Sequence, residues 1–350
     1  MTILFHEFFQ RYMNDPVLRI TVVLILGVVL VNGWTDAPNA IVSCVSTGAM
    51  RMKAAIRMAA VFNFAGMLFM TALNAKVAFT IYHMVDFGTD APMALAALCA
   101  AMTAIIVWAA AAWCFGIPTS ESHALIAGLS GAAIAMHNGM EGINGAEWIK
   151  VLYGLALSAL LGFVMGYICG KAVERYAVGI WKDAVFGKAQ IAGAAAMAFM
   201  HGAQDGQKFM AVFMLGICMA DGRANMTDFR IPLWMMILCS AVMAAGTSMG
   251  GKRIIKRVGK DMVDLKKPQG FASDAAGAVC LLLSTLSGIP VSTTHVKTTA
   301  MMGAGAAENI THVNRNIVGE MIFAWILTFP GCGVIGYLAA KLFMAIILRP

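Results

Sequence analysis

A thirteen-residue stretch occurs twice in this chain, and its two copies constrain the fold more than any other feature. Residues 116–128 read GIPTSESHALIAG, and residues 288–300 read GIPVSTTHVKTTA. Gly, Ile, Pro, Ser and His recur in register at an offset of 172 positions. A second pair lies upstream, GWTDAPN at 33–39 and GAQDGQK at 202–208, at an offset of 169. Two different motifs that repeat in the same order at nearly the same offset indicate a duplicated half-protein.

The sequence around these motifs is too apolar for a soluble protein. Hydrophobic residues make up 60% of the 350 residues and charged residues 12%, whereas soluble proteins carry about 25% charged residues. A bilayer span needs roughly 20 apolar residues, and runs that approach or exceed this length lie at 17–32, 54–75, 92–115, 148–170, 231–250 and 317–346. We therefore predict an all-α polytopic protein of the cytoplasmic membrane. The first run leads straight into the 33–39 motif, so we expect it to be a span and not a cleaved signal peptide.

The net charge of +7 is concentrated in loops. Residues 252–267 hold seven basic and two acidic side chains, a net charge of +5, and Arg51, Lys53 and Arg57 mark a second basic segment. Basic loops beside membrane spans are typical of the cytoplasmic side. The 252–267 segment contains no aromatic residue, so a nucleic-acid partner is not expected. The eight cysteines form no C-x-x-C pair, which gives no indication of a disulfide framework or a zinc site.

Each half is predicted to contain an interrupted helix. Residues 16–50 are apolar for about 35 residues, and one helix of that length would measure roughly 50 Å, more than the roughly 30 Å hydrocarbon core. Gly33 and Pro38 bracket the expected break, with Asp36 at the gap. We expect the same interruption at 201–208, although the glycines there are equally compatible with close helix packing. The predicted division is a first half (1–170), a polar connector (171–190) and a second half (191–350) with a cytoplasmic loop at 251–268.

The charges that flank these interrupted helices predict opposite orientations of the two halves. The first helix leads into basic residues 51–57, whereas the charges of residues 221–230 sum to zero and the basic 252–267 loop follows one span later. Inverted repeats with broken helices are typical of secondary transporters. Residues 116–136 and 288–306 are compatible with either crossing spans or re-entrant hairpins, so the number of spans stays open.

The P-x-S-x-[ST]-H motif is typical of a helix start. Proline suits the first turn, and Ser or Thr side chains cap free amides. The unpaired N–H groups and the positive end of the helix dipole favour anions. In an apolar setting, unsatisfied amides cost several kcal/mol each, so two such starts indicate a buried anion site rather than ordinary caps.

Charged residues within the apolar runs support a functional site. Each costs roughly 2.5–3.5 kcal/mol near the bilayer centre, so Asp36, Glu121, Asp205 and Lys208 would together cost on the order of 10 kcal/mol if they had no role. An alternative is that Asp205 and Lys208, three residues apart, pair only with each other. No nucleophile–base pair or nucleotide fingerprint occurs, so an enzyme is not expected and no cofactor is predicted.

At these residues the sequence resembles the inorganic phosphate transporter family, whose members carry duplicated Gly-x-Asn-Asp-x-x-Asn-Ala and Pro-x-Ser-x-Thr-His motifs. The resemblance implies an inverted-repeat membrane fold that carries phosphate with a cation. This chain departs from the pattern: Thr35 and Gln204 replace the Asn before Asp, Glu121 replaces a Ser or Thr, and Lys208 corresponds to Asn39. The two cation half-sites are therefore not chemically equivalent, and the coupling ion, H⁺ or Na⁺, stays open.

The leading hypothesis is a phosphate importer driven by symport. The predicted phosphate ligands are Ser120, Glu121, Ser122, Ser292, Thr293, Thr294, Gln207 and Lys208. The predicted ligands of the coupling cation or proton are Asp36, Asn39, Asp205, Thr35 and Gln204, with sodium considered at the first three. His123, His201 and His295 are expected to support the site as neutral hydrogen-bonding groups. A sulfate permease of the same fold and a non-transporting nutrient sensor are the alternatives, and a homodimer is left open.

Overall fold

The apolar runs fold into long helices. The computed structural model describes residues 3–117, 119–222, 229–251 and 255–347. Pro118 of the first motif copy and parts of the charged loops, 223–228 and 252–254, therefore lie outside the described residues. The helices described are α1 (Phe5–Asn14), α2 (Pro16–Thr35), α3 (Val42–Ser46), α4 (Met52–Leu73), α5 (Lys76–Tyr82), α6 (Ala91–Phe115), α7 (Glu121–His137), α8 (Gly145–Tyr176), α9 (Asp183–Ala220), α10 (Leu233–Met249), α11 (Lys267–Ser287), α12 (Thr293–Glu308) and α13 (Arg315–Ile347). Within these ranges, six helices are long and apolar enough to cross a membrane.

The first interrupted helix is confirmed. Helix α2 is capped by the Asp15 side chain and ends at Thr35, and a 3-10 helix over Ala37–Ile41 leads into α3. Pro38 lies in the first turn of the 3-10 segment, where its missing N–H and fixed φ prevent α2 from continuing. The break leaves Asp36 buried at the end of the first half-helix.

The second predicted interruption is wrong. Helix α9 is continuous from Asp183 to Ala220, through the whole 202–208 motif. This copy contains no proline, and its glycines serve close packing instead. A Cβ at Gly202 would overlap the backbone carbonyl of Asn63, and one at Gly206 would overlap the side chain of Met67. The glycines let α9 approach α4 closely, as small residues do between membrane helices.

The two GIP motifs lie at the tips of helical hairpins. Helices α6 and α7 form one hairpin, and α11 and α12 form the other. A short antiparallel bridge closes each base: Asp86 N donates to Gly142 O (2.9 Å) in the first, and Asn314 N donates to Met262 O (2.9 Å) in the second. Each hairpin therefore begins and ends at the same side of the molecule, as expected for a re-entrant hairpin and equally for a pair of crossing helices, so both alternatives stay open.

The basic segments lie together at one end of the bundle. A π-helix at Arg257–Met262 packs against α3, where Gly259 contacts Ser46. Helix α9 also begins here, because Gln190 accepts a hydrogen bond from Thr47 (2.8 Å) just after α3. The positive-inside rule predicts that this end is cytoplasmic.

Helix α9 runs antiparallel to the interrupted helix. It ends at the opposite end of the bundle, where Asp221 pairs with Arg11 and Gly216 contacts Thr21 near the start of α2. Most of the predicted polar connector is helical: α8 extends to Tyr176, and only residues 177–182 separate it from α9.

Packing interlocks the two halves of the sequence. Helix α12 packs against α8, α13 against α6 and α7, α4 against α9, and α10 against α2. Small residues form these contacts: Gly303 lies against the Phe163 carbonyl, and Gly131 against that of Gly333. The connector at 171–190 therefore separates the two halves in the sequence only, because the buried helix contacts join helices of one half to helices of the other.

Candidate functional site at the hairpin tips

The two hairpin tips meet in the centre of the molecule. Ser120 caps α7 and Ser292 caps α12, each accepting a hydrogen bond from the backbone N–H of the histidine three residues later (3.3 and 3.2 Å). The two serine hydroxyls hydrogen-bond to each other (Oγ–Oγ 2.8 Å). The first residues of each helix have N–H groups without an intrahelical acceptor. Two helix starts thus bring amides, hydroxyls and positive dipole ends together, a combination that favours an anion.

The carboxylates of Asp36 and Asp205 converge on Thr293, the first residue of α12. Its Oγ1 lies 3.3 Å from Asp36 Oδ2 and 3.1 Å from Asp205 Oδ2. The neighbouring Thr294 hydroxyl hydrogen-bonds to the other oxygen of Asp36. Both aspartates are almost completely buried, at 2% and 1% exposure. Two carboxylates this close in the interior favour a bound cation between or beside them.

Two asparagines supply further oxygens beside the aspartates. The amide nitrogen of Asn39 donates to Asp36 (2.8 Å), and that of Asn32 donates to Asp205 (3.3 Å). The Oδ1 atom of each asparagine is buried and has no hydrogen-bond partner among the residues that the structure describes. An unpartnered buried acceptor next to a carboxylate suits a hard cation, which prefers carboxylate and carbonyl oxygens. These residues fit the expected sodium site; Asn32 was not among the predicted ligands.

Lys208 is bound entirely by protein oxygens. Its Nζ donates to Asp205 Oδ1 (2.7 Å), Ser122 Oγ (2.6 Å) and the Val291 carbonyl (2.6 Å). An ammonium has three donors, so none is left for the predicted direct contact with phosphate. The pairing with Asp205 that the sequence left as an alternative is present, and it extends to both hairpins.

Glu121 connects the first hairpin tip to the end of α2. Its Oε1 accepts a hydrogen bond from Thr35 (2.9 Å), and its Oε2 is buried with no hydrogen-bond partner in the described part of the chain. Thr35, predicted as a cation ligand, therefore contacts Glu121 instead.

Two glutamines predicted as ligands hold the scaffold. Gln204 donates to the Ile289 carbonyl (3.0 Å) and accepts from Thr285 (3.1 Å). Gln207 donates to the Asn74 carbonyl (2.7 Å) and accepts from Val77 N (3.1 Å). The assignments of Gln207 to phosphate and Gln204 to the cation do not agree with these contacts, because both amide ends are used by loop backbone and a helix hydroxyl.

The three predicted histidines differ in position. His201 lies at the site: its Nδ1 is 3.0 Å from Asn63 Oδ1 and its Nε2 is 3.3 Å from Asp205 Oδ2. His123 and His295 lie behind the caps with their rings in edge contact, 4.4 Å apart. His123 Nδ1 is 3.2 Å from the Trp325 carbonyl. Their contacts fit the supporting role that the sequence predicts.

A second buried ionic cluster was missed by the sequence interpretation. Lys297, one turn after the α12 cap, pairs with Asp274 of α11 and donates to Ser43 of α3 (2.8 Å). All three side chains are fully buried. The sequence signal that could have found it is the presence of Asp274 and Lys297 within apolar runs, since a charged side chain there has a high insertion free energy and normally has a role. The cluster ties the second half of the interrupted helix to the second hairpin.

Residues 32–183 and 177–336 match the phosphate transporter family, and these segments contain both copies of both motifs. The chain belongs to the phosphate transporter family. As a member of this family it is a multi-pass protein of the cell membrane and not an enzyme.

Similar proteins from several bacteria carry related names. A "Probable low-affinity inorganic phosphate transporter" of Bacillus subtilis (strain 168) is 33% identical over 335 residues, covering 93% of this chain and 97% of its own length. A protein of the same printed name from Rhizobium meliloti (strain 1021) is 35% identical, covering 89% of this chain and 92% of its own. The solved structure named "The sodium-dependent phosphate transporter" aligns with a TM-score of 0.84 at 21% identity, covering 95% of this chain and 100% of that one. At 21% identity, this likeness shows that the chain and that structure share a fold.

Proposed function

We propose that this chain is a secondary active transporter that imports inorganic phosphate together with a cation, H⁺ or Na⁺. The observation that carries the proposal is the meeting of two capped helix starts, Ser120 to Ser292, beside the Asp36–Thr293–Asp205 cluster. Anion and cation ligands are thus adjacent within one buried site. The family membership and the names of the relatives support phosphate as the substrate.

Phosphate would be held by the two helix starts. Its oxygens would accept hydrogen bonds from the first amides of α7 and α12 and from the hydroxyls of Ser120 and Ser292. Binding would exchange the serine–serine hydrogen bond for bonds to a charged acceptor, which are worth about 1.5–3 kcal/mol each.

Glu121 would select phosphate over sulfate. Its unpartnered Oε2 would accept a hydrogen bond from a P–OH group. Phosphate keeps at least one proton near neutral pH, because its third ionisation lies far above pH 7. Sulfate has no such proton, so the carboxylate would face it without a bond and repel it.

The coupling ion would bind beside the phosphate at Asp36. Three carboxyl groups (Asp36, Glu121, Asp205) and one ammonium (Lys208) are buried together, which leaves an excess of two negative charges when all are ionised. An uncompensated buried charge costs several kcal/mol. A sodium ion bound by the Asp36 carboxylate and Asn39 Oδ1, or a proton on one of the carboxylates, would reduce this excess negative charge. The phosphate anion could then enter the site.

Alternating access would come from two inverted halves. Helix α9 runs antiparallel to α2–α3. The α12 hairpin ends at the basic end of the molecule, where Glu308 accepts from Lys266 (2.5 Å). The base of the α7 hairpin, where His137 contacts the Asp86 carbonyl (3.0 Å), follows Tyr82, which packs against Phe229 beyond the end of α9 that is opposite to the basic end. Tips that enter from opposite sides and meet at one site suit a transporter whose halves open in turn.

Uptake of radiolabelled phosphate into proteoliposomes, under separately imposed sodium and proton gradients, tests the proposal. We expect uptake with one gradient, loss of uptake in Asp36→Asn, and retention in Asp264→Asn, a control at an exposed acid. If the protein takes up sulfate and excess phosphate does not reduce that uptake, the substrate is sulfate and the assignment to phosphate is wrong. Absence of flux with either anion, in protein that reaches the membrane, would favour a sensor.

A further inference from the structure

The two copies of the aspartate motif place different side chains in equivalent positions. At the offset of 169, Asp205 corresponds to Asp36 and Lys208 to Asn39. Asn39 Nδ2 lies 2.8 Å from Asp36 Oδ1, and Lys208 Nζ lies 2.7 Å from Asp205 Oδ1. The correspondence extends to the hairpins at the offset of 172: Asn39 Nδ2 is 3.5 Å from Thr294 Oγ1, and Lys208 Nζ is 2.6 Å from the equivalent Ser122 Oγ.

The surroundings of the Lys208 ammonium are those of a monovalent cation site. A carboxylate, a hydroxyl and a backbone carbonyl lie within 2.7 Å of Nζ, and the residue is 1% exposed. Carboxylate and carbonyl oxygens are the ligands that suit hard cations, and backbone carbonyls coordinate Na⁺ in transporters with interrupted helices. The Lys208 ammonium carries the same charge as Na⁺ and bonds to all three oxygens, so no bound ion is needed there.

The first copy lacks such a built-in charge. Asn39 is neutral, and its buried Oδ1 accepts no hydrogen bond from any residue that the structure describes. Across the part of the chain that the structure describes, no lysine or arginine forms an ion pair with Asp36, which is contacted by Asn39, Thr293 and Thr294. Two related sites therefore differ in one respect: the Asp205 carboxylate is paired with an ammonium that the chain itself carries, whereas the Asp36 carboxylate is paired with a neutral amide.

We propose that Lys208 is a tethered cation that permanently fills one of two equivalent cation sites, so that the transporter needs only one mobile cation, bound at the Asp36 copy. The inference rests on the proposed function, because it takes the Asp36 copy to be the site of the coupling cation. The binding of the mobile ion can nevertheless be measured without transport.

The test compares Lys208→Asn with Lys208→Met. The asparagine restores in the second copy the residue that the first copy has, including an amide oxygen, whereas methionine removes the charge without supplying one. Purified protein in detergent is melted in NaCl and in choline chloride of equal ionic strength. We expect Na⁺ to stabilise Lys208→Asn more than the unmodified protein, and Lys208→Met no more than the unmodified protein. Equal responses of the two variants to Na⁺ would overturn the inference.

The unmodified protein supplies a second measurement that does not depend on how the variants fold. The Hill coefficient of phosphate uptake for the coupling cation is expected to be about 1, because it cannot exceed the number of cation sites. A value clearly above 1 would show a second mobile cation and contradict the inference. Absence of any phosphate uptake would instead contradict the proposed function, while the melting comparison would still decide the role of Lys208.

Discussion

Replacing Asp274 by methionine is expected to leave the Lys297 ammonium without a counter-charge in the protein interior. Both side chains are fully buried, and the remaining polar contact of Lys297 is the Ser43 hydroxyl at 2.8 Å. Breaking a buried pair by removing one partner costs about 3–5 kcal/mol. A charge separation of 4 Å at an effective dielectric constant of 20 gives about 4 kcal/mol, the same size.

Replacing both partners is expected to cost much less. At the offset of 172 the first half carries Met102 and Leu125 at the equivalent positions, and both are fully buried. The first hairpin thus carries apolar side chains at the two positions where the second carries the ion pair. The double variant Asp274→Met/Lys297→Leu removes both charges, and such replacements are often neutral or stabilising. The Ser43 hydroxyl loses two partners, which adds about 1–3 kcal/mol.

Reversible unfolding in mixed detergent, applied to both single variants and the double variant, measures the coupling energy. We expect each single variant to lose about 3–5 kcal/mol and the double variant to lose less than either. Glu174→Gln, which breaks an exposed pair with Lys171, serves as a control and should change stability by less than about 1 kcal/mol. Additive losses in the double variant would refute the reasoning that the pair is held by mutual compensation.

Three further perturbations address the caps, the packing and the cation ligands. Ser292→Ala should raise the KM for phosphate uptake roughly 10- to 100-fold, since a hydrogen bond to a charged acceptor is worth about 1.5–3 kcal/mol; an unchanged KM would exclude the hydroxyl as a ligand. Gly202→Ala should destabilise the protein by about 1–3 kcal/mol because the methyl overlaps the Asn63 carbonyl. The control Gly319→Ala, with open space around the glycine, should be neutral or stabilising. Equal melting temperatures of the two variants would contradict the packing role of Gly202. Asn32→Leu should weaken the dependence of uptake on the coupling cation without lowering the amount of protein in the membrane; full cation dependence would remove Asn32 from the site.

Chain length and proline content were enough to predict the break at Asp36. The apolar run there is longer than a bilayer span and contains Pro38, which cannot continue a helix. The second copy has glycines instead. A glycine in a helix is compatible with a kink or with close packing, and only the position of Asn63 on the facing helix decides between them.

The helix caps could be predicted because a cap is local. Ser120 and Ser292 bind amides three residues away, and the motif contains both partners. Gln204 and Gln207 bind the carbonyls of Ile289 and Asn74, which lie in segments distant in the sequence. No local pattern contains such a partner, so their scaffold role needs the fold.

The interlocked packing of the two halves has a consequence for how such a protein can be assembled. A polypeptide containing one half alone would expose to lipid the glycine-lined surfaces that α8 and α7 present to α12 and α13. It would also contribute only one serine cap and one aspartate to the proposed site, which is built from two of each. One half can therefore serve only with a second half bound against it, as the two halves of this chain are. Because both copies lie in one chain, they need not be identical, and here a lysine contacts one aspartate and an asparagine the other.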